Sequence, residues 1–465
     1  MALEADLVAY ALALGYDDMA EDQRAHIVNL VIDVFGTAIG AAARGHESGA
    51  ICEAYALGRR AGGGSHEATL WSGNGRLPGD EAALCNSTWA EVLDYQDVIV
   101  RPRNNGHAGE IIVPAAIAIA EFVKADGKSL IAAIAAGLEV TIAILDAVGR
   151  RHRSEGRGFR TTAIAAPLGA SIACAKLLGL DADQTLNALG IAGACAVSGL
   201  MPSLAPSEGR FGMDKDLAIG LAAQLAVNAA RLAQRGMTAS HAVITGERGI
   251  FASHAHGDAR PLVLPAHGAP NVRDAALKKY AASYGVHASV EAVLTIMAAQ
   301  TLRPDEIQKI IVRVKDDSVE TLSARTLANH VAARFSLPYC VASAAMRGRC
   351  EIADFEPDAI QDRGVRDMMT RVELVADPAL TDFHRQTGSF PGEVELVTAR
   401  GRFALRIDYP RGTRQRPMDS HDVDAKFRAL TARRFSREAQ DGFLALARGL
   451  EGLADVGELT ARLLS

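Results

Sequence analysis

The sequence predicts a mostly α protein, a large all-helical domain joined to a smaller α+β domain, on three observations. Ala- and Leu-rich helical periodicity runs from residue 4 to about 265, a Pro/Gly break follows at Pro265–Pro270, and β-type alternation is expected only beyond that break. The expected boundaries are 1–268 for the helical domain, 269–415 for the α+β domain, and 416–465 for C-terminal helices that rejoin the helical domain.

In chain order, the helical periodicity is clearest over 22–43, 130–148, 183–196 and 217–236, where small residues on all sides suit close helix packing. Asp181 and Asp183 stand where an N-cap is wanted, and Gly236 follows Arg231 and Arg235 as a C-terminal stop. Beyond the break, Ile310–Val314, Arg371–Val375, Glu393–Val397 and Arg402–Ile407 read as strands, with Arg400-Gly401 as a hairpin turn. Helices are expected at 287–300 and 325–347 between the strands, and at 423–432, 436–447 and 457–464 in the tail.

A chain of 465 residues, 49% of them hydrophobic, can bury a large core. Its 49 Lys and Arg against 55 Asp and Glu give a formal charge of -6, so neither nucleic acid nor an anionic membrane is an expected partner. Any anion must be caught by a local basic cluster. The six cysteines are scattered without a Cys-x-x-Cys pair and read as reduced core thiols of a cytoplasmic protein. The N-terminus carries Glu4 and Asp6 where a signal peptide would carry Lys or Arg. The most apolar stretch, Ser129–Val148, contains Gly137, Glu139 and Asp146, which indicates a buried helix rather than a membrane span.

Familiar cofactor and hydrolase signatures are missing. Gly62–Gly64 lacks the flanking strand and helix of a phosphate loop and reads as a turn, as does Gly73-Asn-Gly75. Neither His-Glu-x-x-His nor Gly-x-Ser-x-Gly occurs. The segment 89–109 instead gathers Asp94, Asp97, Arg101, Arg103 and His107 where an apolar helix gives way to a loop. If Asp94 and Asp97 share a helix face they repel, so one holds a proton as a general acid or orients a base. Alternatively, Asp97 caps a helix and Asp94 pairs with Arg101 or Arg103. His107 is a base near neutral pH or a capping donor ahead of Ile111. Arg160, Thr161 and Thr162 precede a Gly-containing helix, a place where an anion meets a guanidinium and a helix N-terminus. Lys215 opens one apolar helix and Lys278 opens the second domain, positions that also suit a solvated surface lysine.

These pieces fall in a familiar order: Asp94-Tyr-Gln-Asp97 with His107-Ala-Gly109 and Pro114, then Lys215 with Gly220 and Gly236, then Gly246–Phe251. Lys278-Lys-Tyr280 with His287 and Ala333–Ala342 follow. The chain resembles the MmgE/PrpD family, whose members include dehydratases, decarboxylases and an epimerase of small carboxylates. The resemblance implies a helical domain formed from the N-terminal part and the tail, an inserted α+β lid, a homodimer, a reaction without a cofactor, and an active site in the cleft between the domains. It places Asp94, His107, Lys215 and Lys278 as catalytic groups with Asp97 close by, and the resulting substrate expectation is a di- or tricarboxylate held by Arg101, Arg103, Arg160 and His287 together with Asp97. The implied reaction is that of a lyase, with an epimerase and a non-catalytic carboxylate binder as alternatives. Three positions depart from the family pattern: Arg160-Thr161 where many members have His-Pro, Ala108 where Pro is usual, and Val319 at a tyrosine position of the decarboxylase type.

Overall fold

The computed structural model describes residues 2–59, 65–148, 159–196, 212–254 and 259–464, so the Gly62–Gly64 turn lies outside the described residues. Helix dominates, with small sheets concentrated in the C-terminal part, as the sequence predicts. The body is formed by apolar helices packed on one another: Glu21–Ala42, Gly79–Glu91, Gly109–Val123, Gly127–Ala147, Thr162–Leu177 and Asp214–Gln234. Glu21–Ala42 and Gly127–Ala147 are long and apolar enough to cross a membrane, yet 78% and 94% of their apolar windows are buried inside the protein.

Small residues set the closest crossings. A Cβ on Gly220 would lie 2.1 Å from Thr88 Oγ1 and 2.5 Å from Leu84 O, so Asp214–Gln234 can press onto Gly79–Glu91 only with glycine there. That crossing brings Lys215, at the start of one helix, to Glu91, at the end of the other. The tail helix Ser420–Thr431 lies along Glu21–Ala42, and Phe427 stacks on Phe443 with ring centroids 5.0 Å apart. Phe443 meets Phe35, which meets Trp71, and this aromatic column ties the tail to the first long helix.

The first 265 residues are not purely helical. Strands β1 (Ala68–Thr69) and β2 (Arg76–Leu77) form a hairpin around the Gly73-Asn-Gly75 turn, where both glycines have positive φ. Strands β3 (Asp97–Val100), β4 (Asn105–Gly106) and β5 (Ala275–Leu277) form a second small sheet in the order β4-β3-β5. Strands this short carry too few alternations to show against the helical background. The main sheet has the order β7-β6-β8-β9, from β6 (Ile307–Val314), β7 (Val372–Ala376), β8 (Gly392–Thr398) and β9 (Gly401–Ile407). The β8–β9 hairpin turns at the expected Arg400-Gly401, and Gly401 has φ +133°. The helix expected over 325–347 is two helices, His330–Arg334 and Leu337–Arg347, because Asn329 and Ser336 each cap a new start with their side chains. The cysteines are all free thiols, but Cys195 is exposed rather than in the core.

Candidate functional site

A cleft of about 1000 Å³ opens between helical body and C-terminal sheet domain. One wall carries Glu91, Asp94, Arg103, His107, Arg160 and Lys215 of the body together with Lys278, which is bonded to Asp94, and the C-terminal part adds Tyr284, Lys315, His384, Arg385 and Phe390.

Asp94 and Asp97 are not on one helix. The helix Gly79–Glu91 ends in a turn where Asp94 takes the left-handed conformation with φ +50°, and Asp97 begins β3. β5 pairs with β3 so that Leu277 faces Asp97, which delivers Lys278 to the turn. The Lys278 ammonium lies 2.9 Å from Asp94 Oδ1, and both side chains are nearly completely buried. Burial pushes the Asp94 carboxyl up, but Lys278 and Lys215 outweigh it and hold it below the ordinary value. Beneath this pair lies Lys426, whose ammonium reaches Tyr95 O at 2.7 Å, Lys278 O at 2.9 Å and Asp33 Oδ1 at 2.7 Å.

Asp97 faces away from the cleft and caps the next helix, Gly109–Val123, accepting from Gly109 N at 3.0 Å and Ala108 N at 3.4 Å. Gly109 permits this, since a Cβ there would stand 2.6 Å from Asp97 Oδ1. Burial raises the Asp97 carboxyl to about 6 against the pull of those two amides. The main-chain oxygen of Asp97 in turn accepts from His107 Nδ1 at 2.6 Å. A carbonyl only accepts, so Nδ1 carries the proton and Nε2 the lone pair. Burial, reinforced by Lys278, lowers the His107 pKa to about 4, so the ring is a neutral base at physiological pH.

Lys215 and Arg160 converge on Glu91. The Lys215 ammonium is in direct contact with Glu91 Oε1, Arg160 Nη2 is 3.5 Å from the same oxygen, and Gln96 Nε2 donates to Oε2 at 2.5 Å. Burial works against the Glu91 carboxylate, but Lys215 and Arg160 win and pull it down to about 2. Lys215 is desolvated, yet Glu91, Asp216 and Asp94 raise its pKa above the ordinary lysine value, so it is a fixed cation and not a base. Glu110 is also fully buried beside Glu91; burial and the Glu91 charge push its carboxyl far up, and it stays neutral, bonded to Glu91.

Of the nine residues the sequence singles out, the structure brings Asp94, Arg103, His107, Arg160, Lys215 and Lys278 to the cleft wall. Arg101 points elsewhere: its guanidinium binds Asp146 and reaches Asp274 at 2.7 Å, fastening the segment after β3 to the body. His287 is buried behind the wall, with Nε2 3.2 Å from Ala282 O and its ring against Tyr280 and Tyr284. Asp97, as described, supports His107 from behind. Val319 lies in the short helix Asp316–Thr321, whose Ser318 and Glu320 line the cleft. Sequence reasoning passed over Glu91, Glu110, Asp33 and Lys426. For Asp33 the signal was a lone charge inside an apolar helical run, Leu30-Val-Ile-Asp33-Val-Phe35, a pattern that demands a buried partner. Among the described residues no group of three His, Cys, Asp or Glu is placed to hold a metal ion.

A helical body, a small sheet domain and a cleft between them, holding an ion-paired lysine beside a neutral histidine, make up the candidate site. The chain belongs to the MmgE/PrpD family: residues 5–262 match the MmgE/PrpD N-terminal domain and residues 280–451 the MmgE/PrpD C-terminal domain. It is 26% identical over 402 residues to cis-aconitate decarboxylase of Homo sapiens, a match covering 83% of this chain and 80% of that protein. It is also 26% identical over 280 residues to 2-methylcitrate dehydratase of Salmonella typhimurium, covering 58% of this chain and 57% of that protein. Both relatives are lyases by name, which supports a lyase at the level of the family.

Proposed function

We propose that the cleft is the active site of a lyase of small polycarboxylic acids that develops negative charge next to a carboxylate, either by removing a proton and then expelling water or by losing carbon dioxide and then taking up a proton. The observation that carries this reading is the pairing, in one wall, of a neutral His107 with a free Nε2 and a Lys278 ammonium fixed by Asp94. A proton α or β to a carboxylate is weakly acidic, and its loss places negative charge on the carboxylate. Lys278 and Lys215 are fixed cations or ammonium donors where that charge develops, so little reorganisation is needed as the reaction proceeds. In a dehydration His107 takes the carbon-bound proton at Nε2, the C–H electron pair becomes the new π bond, and the C–O bond breaks with its pair on oxygen; in a decarboxylation the C–C bond to a carboxylate breaks instead, its electron pair stays on carbon, and the Lys278 ammonium returns a proton to that carbon. In a dehydration, the departing hydroxide takes a proton from the imidazolium or from Lys278 and leaves as water. Arg103 and Arg260, at the same wall, suit the distal carboxylate.

The test is proton NMR of the protein in D2O with cis-aconitate, 2-methylcitrate and iminodisuccinate, run in parallel on the wild type and on His107→Gln. The expected result is a new product from one of the first two, lost in the variant. Deuterium exchange with inversion and no elimination would make it an epimerase instead, and binding without turnover or exchange would make it a carboxylate-binding homologue.

A further inference from the structure

Lys426 comes from the tail helix Ser420–Thr431, yet it holds the ends of two other segments. Its ammonium, only 4% exposed, donates to Tyr95 O at 2.7 Å and to Lys278 O at 2.9 Å, with Asp33 Oδ1 2.7 Å away as its counter-charge. The same ammonium lies 3.8 Å from the centroid of the Tyr95 ring, and the Tyr95 hydroxyl donates to Lys279 O at 2.7 Å. One buried cation thus ties the residue after Asp94 to Lys278 itself. Asp94 needs such a tie, because its φ of +50° is strained for a residue with a side chain and persists only where surrounding bonds over-determine it. Asp94 N to Glu91 O at 3.0 Å and Lys278 Nζ to Asp94 O at 2.9 Å are two of those bonds, and Lys426 adds a third one residue on.

We propose that Lys426 is a positioning residue of the site: it sets the register in which the Lys278 ammonium meets Asp94, and so makes the tail helix part of the active-site framework. The inference rests on the reading of the cleft as a lyase site and deepens it. Lys426 lies behind the wall and is not among the described residues that line the cleft, so it acts through Lys278 and Asp94 and not on the substrate. Apolar groups can often replace a buried ion pair without loss of stability. They cannot hold two main-chain oxygens at a fixed separation, and what such a replacement loses here is the placement of Lys278. A cation moved away from the point where negative charge develops stabilises the transition state less, so the loss falls on kcat.

The double variant Asp33→Val/Lys426→Met, which puts apolar groups of similar size in place of the pair, tests this. Its control is Phe443→Leu, which loosens the tail at the Phe427–Phe443 stack without touching Lys426. Steady-state kinetics with cis-aconitate and 2-methylcitrate, urea midpoints and amide hydrogen exchange over residues 92–98 are measured on both and on the wild type. In the double variant kcat is expected to fall at least tenfold with KM changed less than threefold, and the amides of 92–98 to exchange at least tenfold faster. Phe443→Leu should lower the urea midpoint yet leave kcat within twofold and exchange over 92–98 unchanged. If the double variant fails to fold, Lys426→Gln, which can serve only one of the two oxygens well, must show the same fall in kcat. Wild-type kcat in whichever of these folds, or an equal fall in Phe443→Leu, overturns the inference. A wild type that consumes neither acid overturns the lyase reading itself, and this inference with it; the two failures are therefore distinct.

Discussion

Lys278 Nζ lies 2.9 Å from Asp94 Oδ1 and 2.9 Å from the main-chain oxygen of the same Asp94. One ammonium therefore both neutralises the carboxylate and closes the left-handed turn that carries it. The third proton of that ammonium is left for the cleft, which Lys278 lines.

Asp94→Asn should be costly to both fold and activity. It leaves Lys278, 1% exposed, without its counter-charge, and breaking a buried pair on one side costs about 3–5 kcal/mol. Lys278→Met should cost less stability, since a buried carboxyl left without its cation can shed its charge by taking up a proton, but it should abolish turnover. Adding Lys278→Met to Asp94→Asn is expected to restore part of the lost stability, a non-additivity readable in urea denaturation. Strictly additive losses would mean that the two side chains do not support each other.

His107→Gln separates chemistry from folding. The glutamine amide can still donate to Asp97 O, so stability should stay within about 1 kcal/mol, whereas loss of a general base lowers the rate by roughly two to four powers of ten. The wild-type acid limb of kcat/KM for this base should fall near 4, where burial holds the ring, and not near 6.5. An imidazole charges below its pKa, so activity should persist at pH 5 and disappear as the pH drops through 4. A limb near 6.5, or a variant with near-normal kcat/KM, would remove His107 from the role of base.

The helical skeleton and the four main strands were legible because each repeats its period over several turns or pairs. The short strands β1 to β5 were not, since two to four residues hold no periodicity; yet β5 is the strand that delivers Lys278. The site residues Asp94, His107, Arg160, Lys215 and Lys278 were named from sequence order and resemblance, while their pairings were not. Neighbourhood along the chain suggested Asp94 with Arg101 or Arg103, but the partner lies 184 residues away. Asp97 as a helix cap was one of two readings open at the outset, and the left-handed turn at Asp94 decides it by throwing Asp97 into a strand. Arg101 could not be sorted from Arg103 without coordinates, because Asp146 and Asp274, which claim it, come from distant segments.

Acid should destabilise the protein through its histidines. Burial holds His26, His107 and His330 at about 4 and His46 and His287 at about 3, all below the unfolded value of about 6.5. Between those values the unfolded chain binds more protons than the native one, so stability falls as pH drops below about 6.5 and continues to fall toward 3. Raised carboxyls oppose this down to about pH 4, because burial holds Asp97 at about 6 and Glu139 at about 7 and also raises Glu110, Asp33 and Asp216, so the native state gains those protons first. Below about pH 4 the unfolded carboxyls are protonated as well and the histidines are left to act. Urea midpoints should therefore fall between about pH 4 and pH 3. Midpoints that stay level over that range would show that these rings are already charged in the native state.

Glu110 should behave as a neutral acid, not as a carboxylate. Burial and the adjacent Glu91 charge raise it well above the ordinary range, and its oxygens meet no N–H or O–H donor among the described residues that could steady a negative charge. The protonated carboxyl instead gives its hydrogen to Glu91, which keeps that carboxylate turned toward Lys215 and Arg160. Glu110→Gln preserves the shape and a donor, so stability should change by less than about 1 kcal/mol. Glu110→Met fills the same volume without a donor and should cost about 1–3 kcal/mol, the usual range for a buried acceptor that loses its partner. Infrared spectra at neutral pH should show a protonated carboxyl C=O band that Glu110→Gln removes. If Gln and Met prove equally damaging, or the band is missing, Glu110 is ionised and the charge balance around Glu91 must be redrawn with one more anion in it.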